Sequence, residues 1–242
     1  MFDIFLKIWY NILYIILFER IFMRSYIKAL IFDLDGTLAD TIPAIADAVN
    51  MTLTELGFPT HTQDEIRSYI GQGPRHLISE ALPKEIRTDE PQVIDKALEI
   101  YNKMYAKTYL NTNTLYDGLE DAIITLSQYY KIAVLSNKQD EYVKNLVKQL
   151  LPEGICEIAR GTVGGKPAKP DPKVALEIVE ALGCSHYECM IIGDSDIDIL
   201  TAENAEMDIL SVSWGYVSKT KLIFKGAQEI IDTPEDLVEY FK

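Results

Sequence analysis

Basic residues are scarce in this 242-residue sequence. Lysine and arginine number 23 against 37 aspartates and glutamates, which gives a formal net charge of -14 at pH 7. Such a charge repels polyanions, so neither nucleic acid nor an anionic membrane surface is expected as a diffuse partner. An anionic substrate would have to be bound locally, for example through a metal ion.

Cysteine and histidine are also rare, with three residues of each. Cys156, Cys184 and Cys189 are odd in number and show no pairing pattern, which disfavours a disulfide framework and favours a reducing compartment. We therefore expect a cytoplasmic protein. Because the histidines are scattered, neither histidine-based catalysis nor a zinc cluster is expected.

No hydrophobic run is long enough to predict a transmembrane helix. Residues 1–22 are rich in aromatic and aliphatic side chains, but the longest charge-free run, residues 8–18, has 11 residues. A spanning helix needs about 18 or more. The segment also lacks the basic start and the small-residue cleavage site of a signal peptide. We interpret residues 1–22 as a hydrophobic extension of unknown role, through which alone the protein could contact a membrane.

From residue 29 onward, short apolar segments alternate with amphipathic ones. This alternation predicts a doubly wound α/β fold, in which helices cover both faces of a parallel sheet. Ligands bind beyond the carboxyl ends of such strands, and Asp33, Ser136 and Asp194 lie at predicted ends. The predicted strands are Ala29–Asp33, Lys131–Ser136, Ile155–Ala159, Cys189–Gly193 and Ile209–Ser213.

About seventy residues follow the first strand, far more than the single helix of an ordinary crossover. Apolar residues at helical spacing predict helices throughout this stretch, so we interpret residues 41–114 as an inserted helical cap domain. Residues 39–42 and 111–114 form a candidate two-strand hinge. The predicted Rossmann-like catalytic core comprises residues 23–40 and 115–242.

Two carboxylates, Asp33 and Asp35, end the first strand and are followed by Gly36. Burying both against the sheet would carry a large desolvation cost, so they should face something polar. Gly36 permits the turn that brings both side chains into one pocket. Taken alone, this motif also fits a short acidic turn that has no catalytic role.

The run Asp33-Leu34-Asp35-Gly36-Thr37 resembles the first motif of the haloacid dehalogenase-like phosphatase superfamily. Three further segments resemble its other motifs, in the expected order: Ser136-Asn137-Lys138, Lys169-Pro170-Asp171-Pro172 and Gly193-Asp194-Ser195-Asp196-Ile197-Asp198. The resemblance implies a Mg²⁺-dependent phosphatase that acts on a small phosphorylated metabolite.

Other local features are most similar to the phosphoglycolate phosphatase group of this superfamily. They are Ile70-Gly71-Gln72-Gly73 in the cap and Trp214-Gly215-Tyr216 after the last predicted strand. Glu206 departs from the group, whose members place glycine after the fourth-motif helix. A left-handed glutamate there would cost about 1 kcal/mol, unless the helix ends differently.

The resemblance implies a chemical role for each acidic residue. Asp33 would attack phosphorus and form an aspartyl-phosphate, and Asp35 would protonate the leaving oxygen and then activate water. Magnesium prefers oxygen ligands, here the carboxylates of Asp33 and Asp194 and the backbone carbonyl of Asp35. Asp198 would orient Lys169 or the outer ligands of the metal.

Substrate-binding residues are expected in both the core and the cap. Those in the core are Thr37, Ser136, Asn137 and Lys169. Arg75 follows Gly73 and Pro74 at a predicted helix start in the cap, where it could contact an anionic leaving group such as a carboxylate. An ordinary solvated arginine fits that position equally well.

Three other functions remain open. A sugar phosphomutase would use Asp33 and Asp35 but would need a bisphosphate and release little inorganic phosphate. A dehalogenase has no leaving alkoxide to protonate, so Asp35 would have no role. A non-catalytic binding protein could keep the fold, although the intact acidic motifs argue against it. A monomer and a homodimer are both compatible with the sequence.

Overall fold

The computed structural model of the protein describes residues 26–90 and 92–242, so the extension 1–22 lies outside the described residues. Eight strands occur within these ranges: β1 (Ala29–Phe32), β2 (Ala39–Asp40), β3 (Thr114–Leu115), β4 (Lys131–Gln139), β5 (Cys156–Thr162), β6 (Cys189–Gly193), β7 (Asp208–Val212) and β8 (Ile230–Ile231).

The helices of the same ranges fall into two groups. Between β2 and β3 lie α1 (Ile42–Leu56), α2 (Gln63–Arg67), α3 (Pro74–Ala81), α4 (Lys84–Asp89) and α5 (Gln92–Thr108). The remaining helices are α6 (Leu119–Leu126), α7 (Asp140–Leu150), α8 (Lys173–Ala181), α9 (Asp196–Ala205), α10 (Lys219–Phe224) and α11 (Pro234–Tyr240). None of the described helices is both long and apolar enough to cross a membrane.

Six strands form one parallel sheet in the order β5-β4-β1-β6-β7-β8. Successive residues of β1 face opposite sides: Leu30 and Phe32 join one apolar core, while Ala29 and Ile31 join another with residues of α8 and α9. Helices therefore cover both faces of the sheet. This architecture confirms the predicted doubly wound α/β fold, and all five predicted strands are present near their predicted positions. The short edge strand β8 was not predicted.

The register of the central strands positions the site. Phe32 of β1 lies opposite Val134 of β4 and Ile192 of β6. Because the three strands are parallel, the residues that follow them emerge side by side at one edge. Asp33 and Asp194 come from two of these strand ends.

A separate two-stranded sheet connects the helical insertion to the core. β2 and β3 are antiparallel, with Ala39 opposite Leu115 and Asp40 opposite Thr114. The chain thus leaves and re-enters the core at neighbouring points, which is what a hinge requires. Inside the insertion, α1 packs against α5 through buried apolar residues. The boundaries 41–114 of an independently moving cap stay a prediction.

The end of α9 confirms the left-handed alternative for Glu206. Its backbone has φ 53° and ψ 43°, and its N–H follows the last turn of the helix by donating to Glu203. It is the sole residue other than glycine with positive φ in the described part of the chain. The conformation that a glycine adopts without strain is here imposed on a glutamate.

Candidate functional site

A cavity of about 440 Å³ opens at the carboxyl end of the central strands, beneath helices of the insertion. Residues of the core that line it include Asp33, Asp35, Ser136, Asn137, Lys138, Lys169 and Asp194. Residues of the insertion that line it include Arg67, Gly71, Gln72, Gly73, His76, Tyr101 and Tyr105. The predicted motifs therefore meet in one cavity, and residues of the insertion form the part of its wall that the core does not supply.

Asp33 directly follows β1 and is only 9% exposed. Its Oδ1 accepts a hydrogen bond from the backbone N–H of Leu34 at 2.7 Å and lies 2.8 Å from Nζ of Lys169. Its Oδ2 accepts no hydrogen bond from residues 26–90 or 92–242. The carboxylate is thus held through one oxygen, and the other remains for a reaction partner.

Lys169 is buried between two carboxylates. Its Nζ lies 2.6 Å from Oδ1 of Asp198 and 2.8 Å from Oδ1 of Asp33. Burial lowers the pKa of Lys169, but the charges of Asp198 and Asp33 outweigh it and raise the pKa above its ordinary value. Lys169 therefore places a permanent positive charge beside Asp33.

Asp198 is fixed by the start of α9. Its Oδ2 accepts hydrogen bonds from the backbone N–H of Ser195 at 3.1 Å and from Oγ of Ser195 at 2.6 Å, while Ser195 caps the helix in return. The acidic fourth motif is thus partly a helix cap. Because its other oxygen contacts Lys169, Asp198 is placed to orient that ammonium.

Asp194 follows β6 and is held from two sides. Oγ1 of Thr37 donates to its Oδ1 at 2.8 Å, and the backbone N–H of Tyr216 donates to its Oδ2 at 2.6 Å. Gly36, with φ 90°, makes this arrangement possible, since a Cβ there would lie 2.5 Å from Oδ2 of Asp194. The first motif, the fourth motif and the segment after β7 therefore fix one carboxylate together.

The acidic residues fit a hard divalent cation. Carboxylate oxygens of Asp33, Asp194 and Asp198 all lie within 4.8 Å of one another, and clustered oxygen donors suit Mg²⁺. The ammonium of Lys169 contacts Oδ1 of Asp198, whereas the donors to Asp194 are a neutral hydroxyl and a backbone N–H. Because a metal ion does not have to displace or approach an ammonium at Asp194, and Oδ2 of Asp33 accepts no hydrogen bond from the described residues, Asp33 and Asp194 are the better donors. A contribution from the carbonyl of Asp35 stays a prediction.

Burial and mutual repulsion oppose ionisation of this cluster. Burial raises the pKa of Asp33 to about 8 despite the nearby charge of Lys169, with Asp198 and Asp194 adding to the rise. Burial and then the charge of Asp198 raise the pKa of Asp194 to about 7. Without a metal ion, the carboxyls of Asp33 and Asp194 therefore keep their protons to a higher pH than ordinary carboxyls do. A metal ion that binds these carboxylates would displace the protons.

We expect the metal-free protein to lose stability as the pH rises from about 4 to about 8. The carboxyls of Asp33 and Asp194 have an ordinary pKa of 3.8 but ionise near 8 and 7 in the folded state. The folded state thus binds more protons in this interval, and the free energy of unfolding falls as the pH rises. Thermal unfolding in a chelator at several pH values measures this slope.

Saturating Mg²⁺ should then raise the melting temperature by roughly 5 to 10 °C near pH 8 and by less near pH 5.5, where protons compete with the metal. In chelator near pH 8, Asp194→Asn should be more stable than the wild-type protein, because the substitution removes a buried carboxylate. The same variant should lose most of the rise in melting temperature that Mg²⁺ produces in the wild-type protein. Equal Mg²⁺ effects at the two pH values, or none, would contradict the assignment of this cluster.

Asp35 has a different environment from the buried cluster. Oγ1 of Thr41 donates to its Oδ1 at 2.5 Å, and Nζ of Lys138 lies 2.8 Å from Oδ1 and 3.0 Å from Oδ2. The same Nζ stands 5.0 Å from the ring centre of Tyr105 on α5. The sequence analysis gives no role to Lys138 or Thr41. Both lie within or next to the motifs, and that position is the feature of the sequence from which a role could have been predicted.

The predicted substrate-binding residues of the core do not all reach the cavity. Ser136 lines it and is buried. Thr37 is fully buried and spends its hydroxyl on Asp194, so it supports that carboxylate from behind. Asn137 lines the cavity, but its Nδ2 is bonded to the carbonyls of Gly71 and Lys169.

The structure does not bring Arg75 to the cavity. It is the second residue of α3, and its guanidinium pairs with Asp95 of α5 at 2.5 Å, with both side chains more than half exposed. The arginine of the insertion that lines the cavity is Arg67, at the end of α2. Its position in Ile66-Arg67-Ser68, just before the glycine-rich loop, was the signal that sequence reasoning missed.

The sequence matches one family model, described as haloacid dehalogenase-like hydrolase, over residues 30–212. The phosphoglycolate phosphatase of Psychrobacter arcticus is 33% identical over 221 residues, covering 88% of this chain and 95% of the relative. That of Aquifex aeolicus is 33% identical over 215 residues, covering 88% and 96%. A solved structure from Lactobacillus delbrueckii subsp. bulgaricus has a TM-score of 0.81 and 33% identity, covering 88% of this chain and 98% of its own.

Proposed function

Because the chain belongs to the haloacid dehalogenase-like hydrolases, we propose that it is a Mg²⁺-dependent phosphatase for a small carboxylated phosphomonoester of the phosphoglycolate type. The observation that carries the proposal is the Asp33 carboxylate. One of its oxygens is held by Leu34 and Lys169, and the other is unbonded among the described residues, in a cavity shared with Asp35. The three free cysteines are compatible with action in the cytoplasm.

In the first step, Oδ2 of Asp33 attacks phosphorus and the bond to the leaving oxygen breaks. Asp35 donates a proton to that oxygen, which leaves as a neutral alcohol. The ammonium of Lys169 and the hydroxyl of Ser136 stabilise the phosphoryl oxygens. When bound by Asp33 and Asp194, Mg²⁺ supplies positive charge that offsets the repulsion between the phosphoryl group and the nucleophile.

In the second step, Asp35 accepts a proton from a water molecule that attacks phosphorus. The bond between phosphorus and Asp33 breaks, which restores the carboxylate and releases inorganic phosphate. Lys138 and Thr41 hold the Asp35 carboxylate in one place for both proton transfers. The insertion above the cavity limits the access of other water.

Arg67 is proposed to recognise the carboxylate of the substrate. Among the described residues, it is the arginine that lines the cavity, and its Nη1 donates a hydrogen bond to Oδ1 of Asp64 at 3.0 Å. Both side chains are substantially exposed, so this pair is weak and a substrate carboxylate can compete for the guanidinium. A guanidinium binds a carboxylate through two parallel hydrogen bonds, which gives direction as well as charge.

A phosphate-release assay with Mg²⁺ over a panel of phosphomonoesters tests the function. Phosphoglycolate should be among the best substrates, and Arg67→Ala should lower its kcat/KM by about 10- to 100-fold. The same variant should change kcat/KM for an aryl phosphate without a carboxylate by less than about 3-fold, because no charged partner is lost there.

Arg75→Ala is the matched control, since it removes an arginine of the insertion that lies outside the cavity. It should change neither substrate's kcat/KM. A selective loss in Arg75→Ala but not in Arg67→Ala would move carboxylate recognition to Arg75. No phosphate release from any member of the panel would contradict the function itself, and a requirement for a bisphosphate would favour the phosphomutase.

A further inference from the structure

The side chain of Asn137 joins two loops that are far apart in sequence. Its Nδ2 donates to the carbonyl oxygen of Gly71, in the loop before α3, at 3.0 Å. It also donates to the carbonyl oxygen of Lys169, in the loop before α8, at 2.9 Å. Carbonyl oxygens only accept, so these two partners fix which end of the amide faces them.

The amide of Asn137 is used through its donors and not through its acceptor. The residue is 8% exposed, and its Oδ1 is buried with no hydrogen-bond partner in the described ranges. A buried orphan acceptor is a cost that an apolar side chain would avoid. The loop before α3 also approaches the backbone here, since a Cβ on Gly73 would lie 3.6 Å from the carbonyl oxygen of Asn137.

We propose that Asn137 is a positioning residue that couples two loops. The first is the loop of the insertion before α3, which contains Gly71 and is called the Gly71 loop. The second is the loop of the core before α8, which contains Lys169 and is called the Lys169 loop. One planar amide group serves both carbonyls, so losing the contact to Gly71 frees the group and weakens its contact to Lys169. The ammonium of Lys169 lies 2.8 Å from Asp33, so the coupling ties the position of the insertion to that of the phosphate-binding charge.

Lys169 binds phosphate only if the proposed function is right, but the coupling between the two loops can be measured without turnover. Gln139 offers a matched control at the end of the same strand. Its Nε2 donates to Oδ1 of Asn102 on α5 at 3.1 Å, so it also bonds the core to the insertion. It forms no hydrogen bond with the Lys169 loop within the described part of the chain.

Amide hydrogen exchange of the full chain, followed by NMR, tests the coupling. The N–H of Leu77 donates to Gly73 and reports on the insertion loop, and the N–H of Asp171 donates to Ala168 and reports on the Lys169 loop. Asn137→Ala should speed exchange at both sites by about 5- to 10-fold. Gln139→Ala should leave Asp171 at the wild-type rate.

Gly71→Ala tests the same coupling from the other side and does not depend on how well Asn137→Ala folds. Gly71 has φ 125°, which alanine disfavours, yet a Cβ there would meet no atom within 4 Å. The variant therefore disturbs its own loop without touching the Lys169 loop. Because coupling is reciprocal, Asp171 should exchange faster in Gly71→Ala, and Asn137→Ala should add little to that effect.

A wild-type rate at Asp171 in Gly71→Ala would show that the two hydrogen bonds are independent, which overturns the proposal. Faster exchange at only one of the two reporters in Asn137→Ala would also overturn the proposal. The same holds if Gln139→Ala speeds exchange at Asp171 as much as Asn137→Ala does. Failure of the proposed function is a separate result, namely the absence of phosphate release by the wild-type protein, and it leaves the exchange rates unaffected.

Discussion

Asp33→Asn is expected to abolish phosphate release, with a loss in kcat on the order of 10⁴ or more, as for other removed nucleophiles. An amide oxygen is a poor nucleophile and a poorer ligand for Mg²⁺ than a carboxylate. Phosphate release from phosphoglycolate with saturating Mg²⁺ is the measurement. Turnover at the wild-type rate would contradict the proposed mechanism.

Asp196→Asn is the matched control for Asp33→Asn. Asp196 lies in the same cavity and belongs to the fourth motif, but its Oδ2 pairs with Lys225 at 2.9 Å. It should keep kcat within about 3-fold of wild type, because a partly exposed ion pair contributes little. Circular dichroism should show both variants folded, so that a loss in Asp33→Asn alone reflects chemistry.

Asp35→Asn is expected to lower kcat by roughly 10² to 10⁴, because it removes the group that transfers protons in both steps. The loss in the first step should depend on the leaving group. An alkyl phosphate needs a proton on its leaving oxygen, whereas an aryl phosphate with an acidic phenol does not. Pre-steady-state release of the alcohol or phenol isolates that step.

The leaving-group comparison distinguishes proton transfer from general damage to the site. A distorted cavity would slow both substrates equally in the first step, whereas loss of the acid slows the alkyl phosphate far more. Wild-type activity of Asp35→Asn on the alkyl phosphate would remove Asp35 from the mechanism.

Local sequence patterns were enough to predict the framework of this fold and to place the acidic motifs within it. Strand residues such as Ile31 and Ile192 are apolar because both faces of the sheet are covered. Asp33 and Asp194 could be placed at one edge because parallel strands end together. Short motifs at strand ends therefore encode most of their own geometry.

Contacts between the insertion and the core could not be predicted in this way. Arg75 and Arg67 both adjoin the glycine-rich loop, and only the packing of α3 against α5 shows that Arg75 pairs with Asp95 while Arg67 lines the cavity. Likewise, Asn137 reads as a substrate ligand until its two carbonyl partners are known. Such roles depend on which distant segment arrives opposite a side chain.

Trapping the phosphorylated enzyme tests most directly whether Asp33 is the nucleophile. Asp35→Asn should slow the hydrolysis of the aspartyl-phosphate but not its formation from an aryl phosphate with an acidic phenol, so the intermediate should accumulate when this variant is mixed with that substrate and Mg²⁺. Borohydride reduces an acyl phosphate to an alcohol, which peptide mass spectrometry detects. If Asp33 is the nucleophile, Asp33 alone should be converted to homoserine. Phosphate release with Asp33 unmodified, or modification of another carboxylate, would contradict attack by Asp33.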